Sequence, residues 1–309
     1  METDSFHRPV LLNETLTYLI TKKDGVYFDG TLGGGGYSKA ILENIDQGGK
    51  VIATDLDENA IIFCTEKFKN EDRIKIVSDS YRNVKSIIQT LGVNKLSGAV
   101  LDLGVSSFQL DSVASGFSYR LDSDFDLRFN KNVGQSASDV VNSFQQKEIE
   151  GIIKNFGEEK YYKKITAEII EERKTNPIQS TSQMVEIVSK KVSPNKLNET
   201  LSRVFQAFRI FVNSELENLK LFLTDVIDVI ETRGRIAIVS YHSLEDRIVK
   251  DFFNYESLSC VCPREFPVCC CDKKVRIKKL HRKIILPSSE EISNNPRARS
   301  AKLRVAEVL

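Results

Sequence analysis

A glycine-rich segment between an apolar strand and a helix constrains the fold of this chain more than any other feature. The segment reads DGTLGGGGY (residues 29–37) and follows the apolar run VYF (residues 26–28). Glycine adopts positive φ without steric cost and lets the backbone pass close to a ligand. The helix that begins near Ser38 adds N–H groups and a partial positive charge at its N-terminus. The segment therefore predicts a ligand-binding turn above a parallel sheet.

An acidic residue stands where the next strand ends. Asp55 follows the apolar residues 51–54 and lies eighteen residues after Tyr37. A carboxylate at this position of a βαβ unit accepts hydrogen bonds from ribose hydroxyls. A strict dinucleotide fingerprint, G-x-G-x-x-G, would put a third glycine at the position of Ser38. The pattern thus predicts a cofactor that contains a nucleoside, and it argues against an NAD-linked oxidoreductase.

Short apolar runs alternate with helical patterns over the first hundred residues. Strands are predicted at residues 26–29, 51–55, 74–78, 98–102, 235–241, 283–286 and 302–308. Alternation of this kind is typical of βαβ units with a parallel sheet and right-handed crossovers.

A stretch without strands interrupts this alternation. Residues 136–192 carry only helical patterns, and the apolar positions between Val204 and Ile230 predict one long amphipathic helix. We therefore predict a Rossmann-like α/β fold with an inserted all-helical domain. The predicted domains are the first part of the sheet domain (1–110), a lid loop with the helical insertion (111–202), and the second part of the sheet domain (203–309).

The composition predicts a soluble globular protein. The chain has 309 residues, of which 41% are hydrophobic, and no stretch approaches the roughly 20 apolar residues of a membrane span. The first residues are acidic and lack the basic and apolar regions of a signal peptide. We expect a cytoplasmic protein without a membrane partner.

Positive charge is concentrated near the C-terminus. Between Lys273 and Arg304 there are eleven lysines and arginines against two acids, although the whole chain has a net charge of only +1. A basic segment on an acidic body is typical of a phosphate-binding surface.

Five of the six cysteines also lie late in the chain, at Cys260, Cys262, Cys269, Cys270 and Cys271. An odd number cannot pair completely, and a cytosolic compartment disfavours disulfides. Four thiolates are a ligand set for zinc, but the spacing differs from the usual C-x2-C pairs. We predict a reduced, packed loop and no metal site, with zinc as the alternative.

A polar motif begins where the fourth predicted strand ends. Asp102 closes the strand, at the edge of an open α/β sheet where ligands bind. The following turn contains Ser106, Ser107 and Gln109. Asp102 is a candidate catalytic residue because its carboxylate can accept a hydrogen bond or balance a cationic ligand.

A second motif follows the fifth predicted strand and therefore faces the same edge. It reads SYHSLEDR (residues 240–247). Ser243 and Asp246 match a helix-capping pair, which leaves His242 as the candidate for chemistry.

Asp126 and Arg128 lie two residues apart in the predicted loop over the site. An exposed ion pair would contribute little stability. The alternative to such a surface pair is a functional role, with Asp126 as a further catalytic candidate and Arg128 as a candidate contact to the substrate.

Six segments in the same order resemble the bacterial 16S ribosomal RNA cytosine-N4 methyltransferase family, RsmH or MraW. They are residues 7–12 (HRPVLL), 29–37, 101–111 (LDLGVSSFQLD), 205–210 (FQAFRI), 240–247 and 295–304 (NPRARSAKLR). The resemblance extends from about His7 to the C-terminus. Residues 101–111 and 240–247 are the segments most specific to the family.

The resemblance implies an S-adenosylmethionine-dependent methyltransferase fold and methylation of N4 of cytosine 1402 in 16S ribosomal RNA of the small subunit. The implied cofactor contacts are Gly35, Gly36, Tyr37, Asp55, Tyr81, Asp102 and Gln109. The candidate contacts to RNA are Ser106, Ser107, Arg128, Arg297 and Arg299, which lie in the polar turn, the loop over the site and the basic segment. The family commonly has histidine where this chain has Tyr37.

The positions of the cysteines bear on the target atom. Methylation at a pyrimidine carbon needs a cysteine nucleophile, and Cys64 is the only cysteine before residue 260. The sequence therefore favours a nitrogen or oxygen acceptor. A protein acceptor, an RNA 2′-hydroxyl and a non-catalytic role in ribosome assembly stay open as alternatives. The sequence does not fix the oligomeric state, and a homodimer is one alternative.

Overall fold

The computed structural model describes residues 9–105, 116–263, 265 and 268–309. Within these residues the chain divides into two compact units. The sheet unit comprises the described parts of His7–Gly104 and Leu216–Leu309, and the helical unit comprises those of Val105–Glu215. The divisions fall at 104/105 and 215/216, whereas the sequence placed them at 110/111 and 202/203.

The sheet unit contains seven strands in the order β3-β2-β1-β4-β5-β7-β6. The strands are β1 (Val26–Asp29), β2 (Lys50–Asp55), β3 (Ile74–Ser78), β4 (Leu96–Asp102), β5 (Ile230–Ser240), β6 (Ile277–Lys279) and β7 (Lys302–Val308). The first five are parallel, and β7 is antiparallel to both of its neighbours. This confirms the predicted Rossmann-like α/β fold.

The helices, numbered in chain order, are α1 (Leu12–Leu19), α2 (Gly36–Asn44), α3 (Glu58–Lys67), α4 (Val84–Thr90), α5 (Ala137–Ser143), α6 (Gln146–Gly157), α7 (Tyr162–Thr175), α8 (Thr181–Ser189), α9 (Pro194–Asn213), α10 (Glu215–Val229), α11 (Ser243–Glu256) and α12 (Ser289–Asn294). Short 3-10 turns occupy Tyr81–Asn83 and Pro296–Ser300. No helix in the described part of the chain is both long enough and apolar enough to cross a membrane.

The central strands are apolar throughout because both faces of the sheet are covered. Phe28 and Leu101 pack into the core on one face, and Tyr27 and Val100 pack into the core on the other. Neighbouring side chains of one strand point to opposite faces, so each central strand contributes to both cores.

The helical unit has its own core. Phe125 packs edge-to-face against Phe205 and Phe208 of α9, with ring centroids 5.4 and 5.6 Å apart. Helices α5 to α9 bury their apolar positions in this core. An apolar stripe at helical spacing needs such a partner surface to be stable.

The predicted single helix from Val204 to Ile230 is wrong, because the chain breaks at Ser214 into α9 and α10. Ser214 has a left-handed backbone, with φ of 51°. The side chain of Asn213 donates to Leu127 O at 2.7 Å and accepts from Phe129 N–H at 2.8 Å. These long-range hydrogen bonds hold the end of α9, and helical periodicity carries no sign of them.

The predicted strand at residues 283–286 is also wrong. Only one isolated bridge, between Ile285 and Leu303, lies there in the described structure. The edge strand is β6, in which Ile277 is buried and the two lysines after it are exposed. A strand of three residues is too short to show an alternating pattern.

Candidate active site

Three neighbouring strands end in aspartates at one edge of the sheet. They are β2 with Asp55, β1 with Asp29 and β4 with Asp102. Asp29 pairs in register with Ala53 and Val100, so both flanking strands continue two residues beyond β1. The order of strands reverses at β1, which is where open α/β sheets bind ligands. The glycine segment therefore leaves β1 between two longer strands at the switch point.

Backbone hydrogen bonds hold the glycine segment against these longer strands. Gly30 N–H donates to Val100 O of β4 at 3.0 Å, and Leu32 N–H donates to Thr54 O of β2 at 2.9 Å. The segment is thus fixed on both sides before α2 begins.

Gly33 and Gly35 supply the backbone conformations that the turn requires, with φ of 48° and 73°. A Cβ on Gly35 would also lie 2.6 Å from Phe68 Cε2 and 3.0 Å from Cys64 Sγ of the neighbouring segment. Gly35 is the N-cap of α2, whose first residue is Gly36. A glycine cap has no side-chain oxygen that could accept hydrogen bonds from the first N–H groups of α2. These N–H groups are therefore suited to an anionic or polar group of a ligand.

Asp29 organises the segment from inside, although it is not among the site residues predicted from the sequence. Its side chain is fully buried, accepts from Ser38 Oγ at 2.7 Å and accepts from Thr31 N–H at 3.2 Å. Burial raises the pKa of Asp29 above its ordinary value. The signal available in the sequence is its position as the residue that both ends β1 and opens the glycine segment.

Asp55 lies where the sequence predicted a ribose contact. Its Oδ2 accepts from Gly33 N–H at 2.8 Å, and its Oδ1 accepts from Asp57 N–H at 2.9 Å. Burial raises the pKa of Asp55 to about 6. Each carboxylate oxygen has two acceptor positions, so Asp55 retains capacity for two hydroxyl groups.

Asp102 is paired with Tyr241, which lies in the second polar motif but is not among the predicted site residues. Tyr241 OH donates to Asp102 Oδ1 at 2.7 Å, and Asp102 N–H donates to Thr31 Oγ1 at 2.7 Å. Burial, together with the charges of Asp29 and Glu245, raises the pKa of Asp102 to about 7, while the Tyr241 hydrogen bond acts in the opposite direction. A carboxyl group of this kind can change protonation near neutral pH.

Tyr37 and Tyr81, the tyrosines that the resemblance implies as cofactor contacts, have different surroundings. Tyr37 is buried, and its OH donates to Val10 O and lies 3.3 Å from Thr15 Oγ1, so its side chain serves the core. Tyr81 lies beside the turn, since a Cβ on Gly30 would be 2.8 Å from Tyr81 Cβ. Contacts from the backbone of Tyr37 and from Tyr81 to a cofactor stay predictions.

His242, not Ser243, caps α11, which corrects the predicted capping pair. Its Nδ1 accepts from Glu245 N–H at 3.4 Å, and its Nε2 lies 3.1 Å from Glu245 Oε1. Glu245 Oε2 in turn accepts from Tyr241 N–H at 2.9 Å. His242 thus has a structural role next to Tyr241, and a catalytic role stays a prediction.

Asp126 and Arg128 belong to the helical unit and bind each other. Arg128 Nε and Nη2 lie 2.7 and 2.8 Å from the two carboxylate oxygens of Asp126, and Arg128 Nη1 donates to Gly134 O at 2.9 Å. The residue between them, Leu127, is buried with φ of 62°. A bidentate pair is geometrically specific, and the substrate contacts of both residues stay predictions.

The remaining predicted contacts divide into two groups. Three lie outside the described residues, namely Ser106, Ser107 and Gln109. Arg297 and Arg299 are exposed in the last 3-10 turn, on either side of the buried Ala298. That arrangement presents two cations while the alanine between them fixes the turn to the core.

Cys64 is the cysteine that lies beside the glycine segment. Its Sγ donates to Gly33 O at 3.3 Å, and burial raises its pKa to about 12. A thiol with that pKa is protonated at neutral pH and is a poor nucleophile. Cys64 is therefore poorly suited to act as the nucleophile in methylation at carbon.

Comparison with known proteins gives matches along nearly the whole chain. A family model described as the MraW methylase family matches residues 4–309. A ribosomal RNA small subunit methyltransferase H from Caldicellulosiruptor saccharolyticus is 47% identical over 302 residues, which cover 97% of this chain and 98% of that protein. The protein of the same name from Clostridioides difficile is 44% identical over 306 residues, with coverage of 97% and 98%.

Replacement of Gly35 should separate backbone strain from steric overlap. Gly92→Ala is the matched control, because Gly92 has φ of 68° and its added Cβ would meet nothing within 4 Å. We expect Gly92→Ala to cost about 1 kcal/mol of unfolding free energy, and Gly35→Ala to cost more because of Phe68 and Cys64. Urea denaturation of both variants measures the difference, and an equal cost in the two would contradict the steric argument.

The raised pKa of Asp102 predicts a pH-dependent stability. Between the unfolded value near 4 and the folded value of about 7, the native chain binds more protons at this group than the unfolded chain. Stability contributed by protonated Asp102 is therefore present at low pH and lost as pH rises through 7. We expect Asp102→Asn to reduce the slope of unfolding free energy against pH between about pH 4 and 7; an unchanged slope would contradict the assignment.

Proposed function

The chain belongs to the MraW methylase family, and from this premise we propose that it transfers a methyl group from S-adenosylmethionine to ribosomal RNA of the small subunit. The acceptor is N4 of cytosine 1402 in 16S ribosomal RNA, the target that the sequence resemblance implies. The observation that carries the proposal is identity of 42–47% with proteins named ribosomal RNA small subunit methyltransferase H, over at least 97% of both chains.

The residues around the switch point fit such a cofactor. Asp55 keeps acceptor capacity for the two ribose hydroxyls. Gly35 N–H donates to Leu32 O at 2.7 Å within the turn, and the first N–H groups of α2, which begins at Gly36, suit a polar group of the cofactor. Tyr81 lies on the neighbouring side of the turn, against Gly30. The proposed cofactor contacts are Gly35, Gly36, the backbone of Tyr37, Asp55, Tyr81, Asp102 and Gln109.

When bound, the cofactor supplies a methyl group that its sulfonium already makes electrophilic. The protein's main task is therefore to align an in-line transfer and to exclude water. Asp102 suits this task because Thr31 fixes its backbone and Tyr241 fixes its carboxylate. One hydrogen bond from the backbone N–H group and one to Oδ1 hold Asp102 in one orientation before a substrate arrives.

The acceptor nitrogen needs help because its lone pair is delocalised into the cytosine ring. A hydrogen bond from the N4 amino group to the Asp102 carboxylate would orient that lone pair. It would also stabilise positive charge as the nitrogen–carbon bond forms and the bond between the methyl carbon and sulfur breaks, with its electron pair left on the neutral thioether. The nitrogen then carries an excess proton, which passes to Asp102 Oδ2 as the ring regains its conjugation. A pKa of about 7 lets Asp102 accept this proton and release it to solvent. Asp126 and His242 are the alternative acceptors of the same proton.

The substrate must reach this edge of the sheet as a base turned out of structured RNA. Arg304 in the basic C-terminal segment is partly buried and binds Asp246 at 2.7 Å, so it serves the fold. Exposed cations of the same segment suit the phosphates around the base; they include Lys278, Arg282, Lys283, Arg297 and Arg299. These exposed residues, rather than the whole segment, are therefore the proposed RNA contact.

A labelling experiment tests the function as a whole. The purified protein is incubated with radiolabelled S-adenosylmethionine and small ribosomal subunits that lack this modification, and the RNA is digested to nucleosides. We expect the label in N4-methylcytidine, and primer extension would assign its position. Label in a 2′-O-methyl nucleoside or in protein would contradict the proposed acceptor, and cofactor binding without any transfer would indicate a non-catalytic role.

Removal of the Asp102 carboxylate should abolish turnover. We expect Asp102→Ala to reduce the rate of methylation by at least about a hundredfold, because the carboxylate no longer orients the nitrogen or accepts its proton. Asp251→Asn on the exposed face of α11 is the matched control and should keep full activity. The initial rate is measured at saturating cofactor and RNA; unchanged turnover in Asp102→Ala would remove this residue from the mechanism.

Tests of RNA binding centre on the two exposed arginines. We expect Arg297→Ala with Arg299→Ala to weaken RNA binding and to reduce the slope of log K against log salt by about 0.7 for each phosphate that the variant no longer neutralises. Arg233→Ala is the matched control, because Arg233 is exposed near the start of β5, at the opposite edge of the sheet. Filter binding at several salt concentrations measures the slopes, and equal slopes in the two variants would contradict the assignment.

A further inference from the structure

Four cysteines between α11 and β6 bring their sulfur atoms together. The Sγ atoms of Cys260, Cys262, Cys269 and Cys271 all lie within 4.8 Å of one another. Cys269 Sγ lies 3.4 Å from Cys260 Sγ and 3.6 Å from Cys271 Sγ, and Cys260 and Cys271 are 3.8 Å apart. All four are free thiols, since a disulfide would bring two sulfurs to about 2.05 Å.

We propose that these four cysteines bind one structural zinc ion, in departure from the sequence-based expectation of no metal site. Zinc binds thiolates at about 2.3 Å in a tetrahedron, which sets the sulfurs about 3.8 Å apart. Four of the six separations lie between 3.4 Å, for Cys269 and Cys260, and 4.0 Å, for Cys262 and Cys269, and so bracket that value; the other two are within 4.8 Å. The four ligands form two pairs with C-x-C spacing, Cys260 with Cys262 and Cys269 with Cys271.

Hydrophobic burial does not account for the cluster. Cys260 and Cys269 are exposed, and the apolar residues Val261 and Val268 are 43% and 75% exposed. Free cysteine is normally among the most buried residue types, so the predicted packed loop is wrong in this respect. A segment without a core of its own needs another source of order, and a metal ion provides one.

The backbone supports the thiolate form of these residues. Val261 N–H donates to Cys271 Sγ at 3.4 Å, Cys262 N–H donates to Cys260 Sγ at 3.4 Å, and Cys270 N–H donates to Cys262 Sγ at 3.3 Å. N–H groups directed at sulfur stabilise negative charge on the ligand and orient it, as outer-shell partners of metal sites do.

The span of the cluster favours a single ion. In an iron–sulfur cluster the cysteines bind different iron atoms, which places their sulfurs farther apart than a common ligand to one ion requires. A tetrahedral set of four thiolates suits zinc, which needs no redox partner. The ligands are therefore assigned to mononuclear zinc.

The ion would fix the segment between α11 and the edge strand β6. The two ends of this segment already meet, because Arg276 N–H donates to Glu256 O at 2.9 Å and the largely buried Lys273 pairs with Glu256 at 2.8 Å. Zinc holds the part between these ends, beside a strand of only three residues. Because β6 is the outermost strand of the sheet, we expect order in the preceding segment to reduce local opening of this short strand.

Metal analysis of the intact protein tests the proposal. The wild-type chain is purified under reducing conditions from zinc-supplemented cells, and its metals are measured by plasma mass spectrometry. We expect one zinc per chain, and we expect the double variant Cys260→Ser with Cys271→Ser to lose it. Cys270→Ser is the matched control and should keep the zinc, because Cys270 is outside the set of four.

Cobalt replacement of the wild-type metal gives a second measurement that does not depend on the folding of a variant. We expect the visible absorption of a tetrahedral tetrathiolate site, together with faster amide exchange at Ile277–Lys279 when the metal is chelated. Absence of zinc, one equivalent of iron, disulfides among these residues, or zinc loss in Cys270→Ser but not in the double variant would each overturn the proposal. None of these readouts depends on RNA methylation, so failure here and failure of the proposed function are distinguishable.

Discussion

The early end of β1 is the constraint on which the site depends. Because Asp29 closes β1 two residues before Asp55 and Asp102 close its neighbours, the chain must turn between two longer strands. The buried carboxylate of Asp29 then accepts hydrogen bonds from both sides of the turn, at Thr31 and Ser38. Loss of these hydrogen bonds would leave a buried carboxyl group without them, and burial of a polar group without hydrogen bonds is costly in a protein interior. The position of the glycine backbone follows from this one anchored residue.

The same geometry concentrates negative charge at one edge. Burial is the main cause of the raised pKa values of Asp102 and Asp55. The charges of Asp29 and Glu245 raise the pKa of Asp102 further, and those of Asp57 and Asp29 raise the pKa of Asp55 further. Carboxyl groups that raise one another's pKa ionise more easily when a cation binds close to them. The proposed sulfonium cofactor is such a cation. Its binding reduces the repulsion among these acids, which a neutral ligand would not do, and this difference contributes to selectivity for the cofactor.

Local patterns in the sequence were sufficient for much of the fold. β1, β3 and β7 have the predicted bounds. The errors occurred where long-range contacts override local preference. Asn213 ends α9 through bonds to a distant loop, and β6 exists because β7 offers it a partner along the edge of the sheet.

The sequence by itself determined the class of the fold, the switch point with Asp55 and Asp102, and the family, because glycine content, periodicity and motif order are properties of residues close together in the chain. Tertiary structure alone decided which groups meet. Tyr241 reaches Asp102 across 139 positions, and the four cysteines converge although their spacing matched no familiar metal motif. Hydrogen bonds and metal ligation depend on distances of a few ångströms. The packing of strands and helices sets those distances, and the separation of residues along the chain does not.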